Sequence, residues 1–165
     1  SQQAALTGWM RAKGYLGARW LAQDENEDEL AYKVEIRGLT EQNWKLLEDE
    51  VRAQHLSWDS TAFADGRYQL RVTASDAPSN PGPEALSYSK ESEPFAIDNT
   101  PPAISAVTAA PEGQRLRVRF RAADALTNIK KSEYSVDGAE WRVMLPATRL
   151  FDSRELEFDF LTEEV

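Results

Sequence analysis

Gly66-Arg67-Tyr68-Gln69-Leu70-Arg71-Val72-Thr73-Ala74 alternates without a break. Tyr68, Leu70, Val72 and Ala74 fall on one parity, and Arg67, Gln69, Arg71 and Thr73 on the other. A period of two is that of a strand with one face buried and one wet. Upstream, Leu16, Ala18, Trp20 and Ala22 alternate in the same way, as do Tyr32, Val34 and Ile36 against Lys33, Glu35 and Arg37, and Leu56 pairs in parity with Trp58. Residues 40–53 are rich in Glu, Leu, Lys and Gln and would suit a helical turn by propensity; between two strand patterns they read as a hairpin around Trp44. Residues 77–94 are rich in Pro, Ser, Gly and Asn and read as a long loop, leading to a last strand at Phe95 and Ile97.

The chain repeats at an offset of about 100. Trp20 falls on Phe120, Asp24 on Asp124, Trp58 on Phe158 and Asp59 on Asp159. Tyr32, Val34 and Ile36 followed by Trp44 and Leu47 are echoed by Tyr134 and Val136 followed by Trp141 and Met144. The counterpart of Gly66–Ala74 would begin near position 166, and the sequence ends at Val165, so the second repeat is expected to lack its last two strands. A repeat of this length with many short alternating segments has the size of a β-sandwich module. Asp98-Asn99-Thr100-Pro101-Pro102 marks the joint, because two consecutive prolines fix the backbone and cannot donate to a ladder. The expected organisation is a first module over 1–98, a Pro-rich joint over 99–102 and an incomplete second module over 103–165. Its strands are expected near Ile104 to Ala109, Arg115 to Ala122, Glu133 to Val136, Trp141, and Arg154 to Phe160.

Composition narrows the function classes. A net charge of -9 opposes binding to nucleic acid, whose affinity comes from cations neutralising phosphates. No run approaches the roughly 18 apolar residues of a spanning helix, and Ser-Gln-Gln-Ala-Ala at the start is neither a charged leader nor a signal core. A mature or excised segment without membrane insertion is expected. Cysteine is absent and His55 is the sole histidine, which removes disulfides, thiolate chemistry and multi-histidine metal sites from consideration.

Charge alternation in the second repeat is the sharpest local pattern. Arg115, Arg117, Arg119 and Arg121 take the outward positions of one strand, with Leu116, Val118, Phe120 and Ala122 inside. Glu155, Glu157 and Asp159 take those of another, with Leu156, Phe158 and Phe160 inside. In sandwiches of this size the two strands are antiparallel neighbours, so the rows should face each other as a solvated ladder of charge pairs. An arginine-lined patch for an acidic partner or polysaccharide is the alternative, weakened by the adjacent carboxylates.

Trp20-Leu21-Ala22-Gln23-Asp24, Leu30-Ala31-Tyr32, Trp58-Asp59-Ser60-Thr61, Asp65-Gly66-Arg67-Tyr68-Gln69-Leu70-Arg71-Val72 and Asp98-Asn99-Thr100-Pro101-Pro102 together resemble the fibronectin type III and immunoglobulin-like modules of large exported bacterial proteins. Tyr134-Ser135-Val136-Asp137-Gly138 with Trp141 is similar to the same group, including the module that follows β-propellers in bacterial sensors. The resemblance implies an all-β fold of tandem immunoglobulin-like (fibronectin type III-like) β-sandwiches, the second incomplete. It also implies an extracytoplasmic home (periplasmic, cell-surface or secreted), and a tyrosine corner at Tyr68, a structural role. Such modules serve as spacers, adhesion units and docking surfaces, so the fold does not choose among functions.

Candidate chemistry is sparse. Asp24, Asn26 and Asp28, at alternating positions of the acidic run 24–29, are calcium candidates. The run lacks the glycine of a dedicated calcium loop, so a solvated turn is the preferred reading; Asp98 and Asn99 offer a second, lesser calcium position. His55, Ser57 and Asp59 share one strand face at steps of about 7 Å, too far apart for a catalytic relay, and no catalytic or cofactor-binding residue is assigned. Trp20 and Trp58 belong to the core by alternation. Trp44 and Trp141 recur at one place in both repeats, which favours packing over a sugar platform, and only Trp9 is left over. Loss of a strand like Gly66–Ala74 removes three large side chains at about 1.5 to 3 kcal/mol each, roughly the whole stability of a domain. The open edge at Glu133, Tyr134, Ser135 and Val136 is therefore expected to be an interface, completed by another polypeptide, a second copy of the chain or the continuation of its own parent. The expected function is a non-catalytic structural or protein-interaction module of a larger exported bacterial protein or assembly, the alternative being a carbohydrate- or calcium-dependent adhesion module.

Overall fold

The computed structural model describes residues 14–164. They form twelve strands, one 3-10 turn at Gly82–Glu84 and no α-helix. The chain divides between Asn99 and Thr100 into two compact units.

In the first unit, β1 (Tyr15–Arg19) pairs with β4 (His55–Asp59), and a larger antiparallel sheet runs β3-β2-β5-β6. Its members are β3 (Lys45–Val51), β2 (Ala31–Gly38), β5 (Gly66–Ser75) and β6 (Ser87–Glu91), and β7 (Phe95–Ile97) also lies against β5. The alternating residues behave as the pattern requires. Val34, Ile36, Tyr68 and Leu70 are buried and share one core with Trp58 and Ile97, against which Leu16, Ala18 and Leu56 of the smaller sheet pack. Two sheets around one core are consistent with a β-sandwich.

The stretch 77–94 departs from the loop reading, since it contains β6. Every residue of β6 is exposed, so no apolar face imposes a readable period. β6 and β7 together line one edge of β5, broken at Glu93-Pro94, where proline cannot donate. Ser92 bridges the break: its amide donates to Leu70 O (2.8 Å), and its hydroxyl accepts from Leu70 N (3.0 Å).

In the second unit, β8 (Ala103–Glu112), β9 (Arg115–Ala123) and β12 (Glu155–Leu161) make a sheet of order β12-β9-β8. A separate two-stranded ladder joins β10 (Glu133–Tyr134) to β11 (Arg142–Val143). The core is small: Ala122, Ile129, Leu156 and Phe158, with Phe120, Met144 and Phe151 against it. The charged rows meet as the alternation requires. Asp159 lies directly opposite Arg119 and Glu157 opposite Arg121; Arg117 and Arg119 (3.1 Å) both donate to Asp159, and Arg121 to Glu157 (3.4 Å). On the other face Phe120 and Phe158 stack at 4.6 Å.

Candidate functional site

The site is the β10–β11 hairpin of the second unit. Its turn is Val136-Asp137-Gly138-Ala139, closed by Ala139 N donating to Val136 O at 2.9 Å. Asp137 and Gly138 sit at φ 50 and 76, the paired left-handed conformations for which Asp-Gly is suited. The Ser135 hydroxyl donates to Ala139 O (2.7 Å), and Met144 N to Ser132 O (3.1 Å). The Tyr134 ring meets Phe160 of β12 at 4.9 Å, which directs Tyr134 toward the core side and Glu133 away from it.

Of the four residues expected to form the open edge, Glu133 and Tyr134 make up β10, while Ser135 and Val136 already lead into the turn. Strand β10 is thus shorter than the sequence pattern suggested, because the Asp-Gly turn ends it. Among the described residues its only ladder partner is β11. The second unit also leaves Ile104, Val107, Trp141, Val143, Leu145 and Leu150 exposed, of which Trp141 and Val143 belong to the hairpin.

The first unit shows what the same hairpin looks like when flanked. There Glu35 faces Leu46 and Ile36 faces Lys45 across β2 and β3; here Glu133 faces Val143 and Tyr134 faces Arg142. Lys33 pairs with Glu35 at 3.7 Å as Lys131 does with Glu133 at 2.7 Å, and Trp44 and Trp141 each precede the cationic residue of the ladder. The ladder therefore matches Tyr134 to Ile36, whereas the sequence repeat set it against the run beginning at Tyr32. In the first unit β5 then adds Arg71, whose guanidinium pairs with Glu35 at 2.9 Å and lies 4.5 Å over the Trp44 ring. Arg37 covers Trp44 at the same distance. In the second unit Ser135 stands where the ladder places Arg37, and among the described residues β10 has no neighbour in the place of β5. Trp141 is consequently 70% exposed, which corrects the expectation that both tryptophans pack. No sequence signal distinguishes them, since the difference lies in the strand alongside.

Two of the calcium candidates, Asp24 and Asp28, have carboxylates bonded to protein groups. Asp24 accepts from Asn26 N (2.8 Å) and Asp28 N (3.3 Å), and Asp28 accepts from the Asn80 amide (2.9 Å), which also bridges to Asp76 (3.0 Å). No group of three or more metal-binding side chains occurs among the described residues. Asn99 likewise spends its amide on Ser60 O (3.1 Å) and Phe63 O (3.0 Å). The Ser57 hydroxyl donates to Leu16 O (3.2 Å), and Asp59 accepts from the Thr61 hydroxyl (2.6 Å) and amide (2.9 Å), bonds that hold its carboxyl below the ordinary value. Asp159 is lowered by the Arg117 guanidinium above all, assisted by Arg119. Trp9 lies outside the described residues.

No protein-family model, curated protein or solved structure matches the chain. No described helix is long and apolar enough to cross a membrane.

Proposed function

We propose that this chain is a non-catalytic protein-interaction or spacer segment of a larger extracytoplasmic bacterial protein or assembly, built from two immunoglobulin-like, fibronectin type III-like modules. The strand orders β3-β2-β5-β6 and β12-β9-β8, the alternating core and the bond from the Tyr68 hydroxyl to Ala64 O support that type of module. The observation that carries the interaction reading is the second unit's hairpin, paired on one side and bordered by exposed apolar side chains. An unpaired ladder edge beside exposed apolar side chains accepts a further strand, with backbone hydrogen bonds giving affinity and alternate side chains giving specificity. In this reading Glu133, Tyr134, Ser135 and Val136 receive a strand from another polypeptide or from a second copy of the chain.

Hydrogen exchange on the 165-residue chain tests the reading. Amides of β10 and β11 should exchange much faster than those of β2 and β3, and the second unit should unfold at lower denaturant than the first. Equal protection of the two hairpins together with a single cooperative transition would overturn it.

A further inference from the structure

We propose that Asp137 is a site of spontaneous backbone modification, where the Asp137-Gly138 bond rearranges through a cyclic imide to isoaspartate. Asp-Gly favours this chemistry because glycine has no Cβ to shield the attacking amide nitrogen. It occurs twice in the chain, at Asp65-Gly66 and Asp137-Gly138. The two Asp-Ser bonds, Asp59-Ser60 and Asp152-Ser153, set a hydroxymethyl group beside that nitrogen.

The fold treats the two Asp-Gly bonds differently. The Asp65 carboxylate accepts from the Asn99 amide at 2.6 Å, and Gly66 begins the ten-residue β5, in register with Ile97 of β7. Ring closure there requires the carboxyl to leave its donor and a strand paired on both sides to open. Asp137 and Gly138 are exposed, and among the described residues the Asp137 carboxylate has no hydrogen-bond or ion-pair partner. Apart from its chain neighbours, nothing lies within 4 Å of where a Cβ on Gly138 would stand. The ladder that holds this turn has two residue pairs, Glu133 with Val143 and Tyr134 with Arg142. So short a hairpin opens at small cost, and opening lets the main chain leave the left-handed turn and bring Gly138 N onto Asp137 Cγ.

The reaction releases and consumes only water. Gly138 N bonds to Asp137 Cγ, and the carboxyl hydroxyl departs as water with the amide proton, closing a five-membered imide. Water then adds to one of the two imide carbonyls. Attack at Cγ restores aspartate; attack at the main-chain carbonyl breaks its bond to Gly138 N and leaves the chain running through Cβ and Cγ, with the former carbonyl as a free carboxylate. The backbone is then one atom longer. A two-residue turn fixes the register of its strands, so the pairing of Glu133 and Tyr134 with β11 and the 4.9 Å contact of Tyr134 with Phe160 are lost. The modification dissolves the hairpin edge irrespective of what lies beside it.

Incubating the 165-residue chain at neutral pH in water enriched in heavy oxygen tests this. Each passage through the imide leaves one heavy oxygen in the peptide that contains the residue, and isoaspartate resists a protease that cleaves before aspartate. In the folded chain the Asp137 peptide should gain label about tenfold faster than the Asp65 peptide, the ratio given by a difference of about 1.4 kcal/mol in opening cost. In urea the two should label at nearly equal rates. Asp137→Glu should abolish labelling at that position, because its imide ring would have six members. Label entering the Asp65 peptide as fast as the Asp137 peptide of the folded chain would overturn the proposal. So would the same ratio in folded and unfolded chains, or a folded Asp137 peptide that stays unlabelled while the unfolded one reacts.

Discussion

The Tyr68 hydroxyl donates to the carbonyl of Ala64, four residues upstream, at 2.8 Å. The ring is buried in the first unit's core, edge-on to Phe63 at 5.9 Å, so its one polar atom reaches back to the turn that leads into β5. A buried phenol without that acceptor would forfeit a hydrogen bond it makes in water. Tyr68→Phe should lower the stability of the first unit by about 1 kcal/mol, read as a lower midpoint in urea with an unchanged slope. A midpoint equal to that of the parent would show that the bond contributes nothing.

Asp159 carries the charge ladder's pH dependence. The Arg117 and Arg119 guanidiniums lower its carboxyl below the ordinary value. A carboxyl shifted downward by folding stabilises the native state above its unfolded value, and that contribution is lost as pH falls through the folded one. Asp159→Asn should therefore unfold the second unit at lower urea than the parent at neutral pH. The gap should close as the pH drops below about 4 and shrink with added salt. A gap that is constant with pH would mean that Asp159 acts through packing alone.

Ala106 holds φ 53 in the bulge between Ser105 and Thr108 of β8. The left-handed region crowds a Cβ against the following carbonyl, and glycine escapes that strain. Ala106→Gly should stabilise the second unit by about 0.5 to 1 kcal/mol, and Ala106→Val should destabilise it. Measured by denaturation, the opposite order would indicate that the bulge is not kept in solution.

Phe158 is only 2% exposed and stacks on Phe120 at the centre of a core with four buried members. Phe158→Ala should cost about 3 to 5 kcal/mol, a large share of the stability of any small domain. The second unit should lose its dispersed NMR signals, while Val34 and Ile36 of the first unit keep theirs. Collapse of both sets would show that the units do not fold separately.

Much of this architecture is legible from residue order, and the reasons are local. A strand with one buried face must alternate, so β2, β5, β9 and β12 declare themselves through Tyr32-Val34-Ile36, Tyr68-Leu70-Val72, Leu116-Val118-Phe120 and Leu156-Phe158. The facing of Arg119 and Asp159 follows from alternation and the antiparallel order. Strand β6 escapes because both its faces are wet, and Ser87-Tyr88-Ser89-Lys90-Glu91 carries no period to detect.

By itself the sequence determined the all-β class, the two facing charge rows and the tyrosine whose hydroxyl must find a main-chain acceptor, because each depends on which residues alternate along one strand. Only the tertiary structure decided that Tyr134 takes the place of Ile36, and that Trp44 lies under two guanidiniums while Trp141 is bare. It alone showed that Asp24 and Asp28 are bonded to turn amides and to Asn80. Those facts depend on what a neighbouring strand or loop brings alongside. A side chain's partner across a ladder is set by register, which a residue's own flanks do not encode.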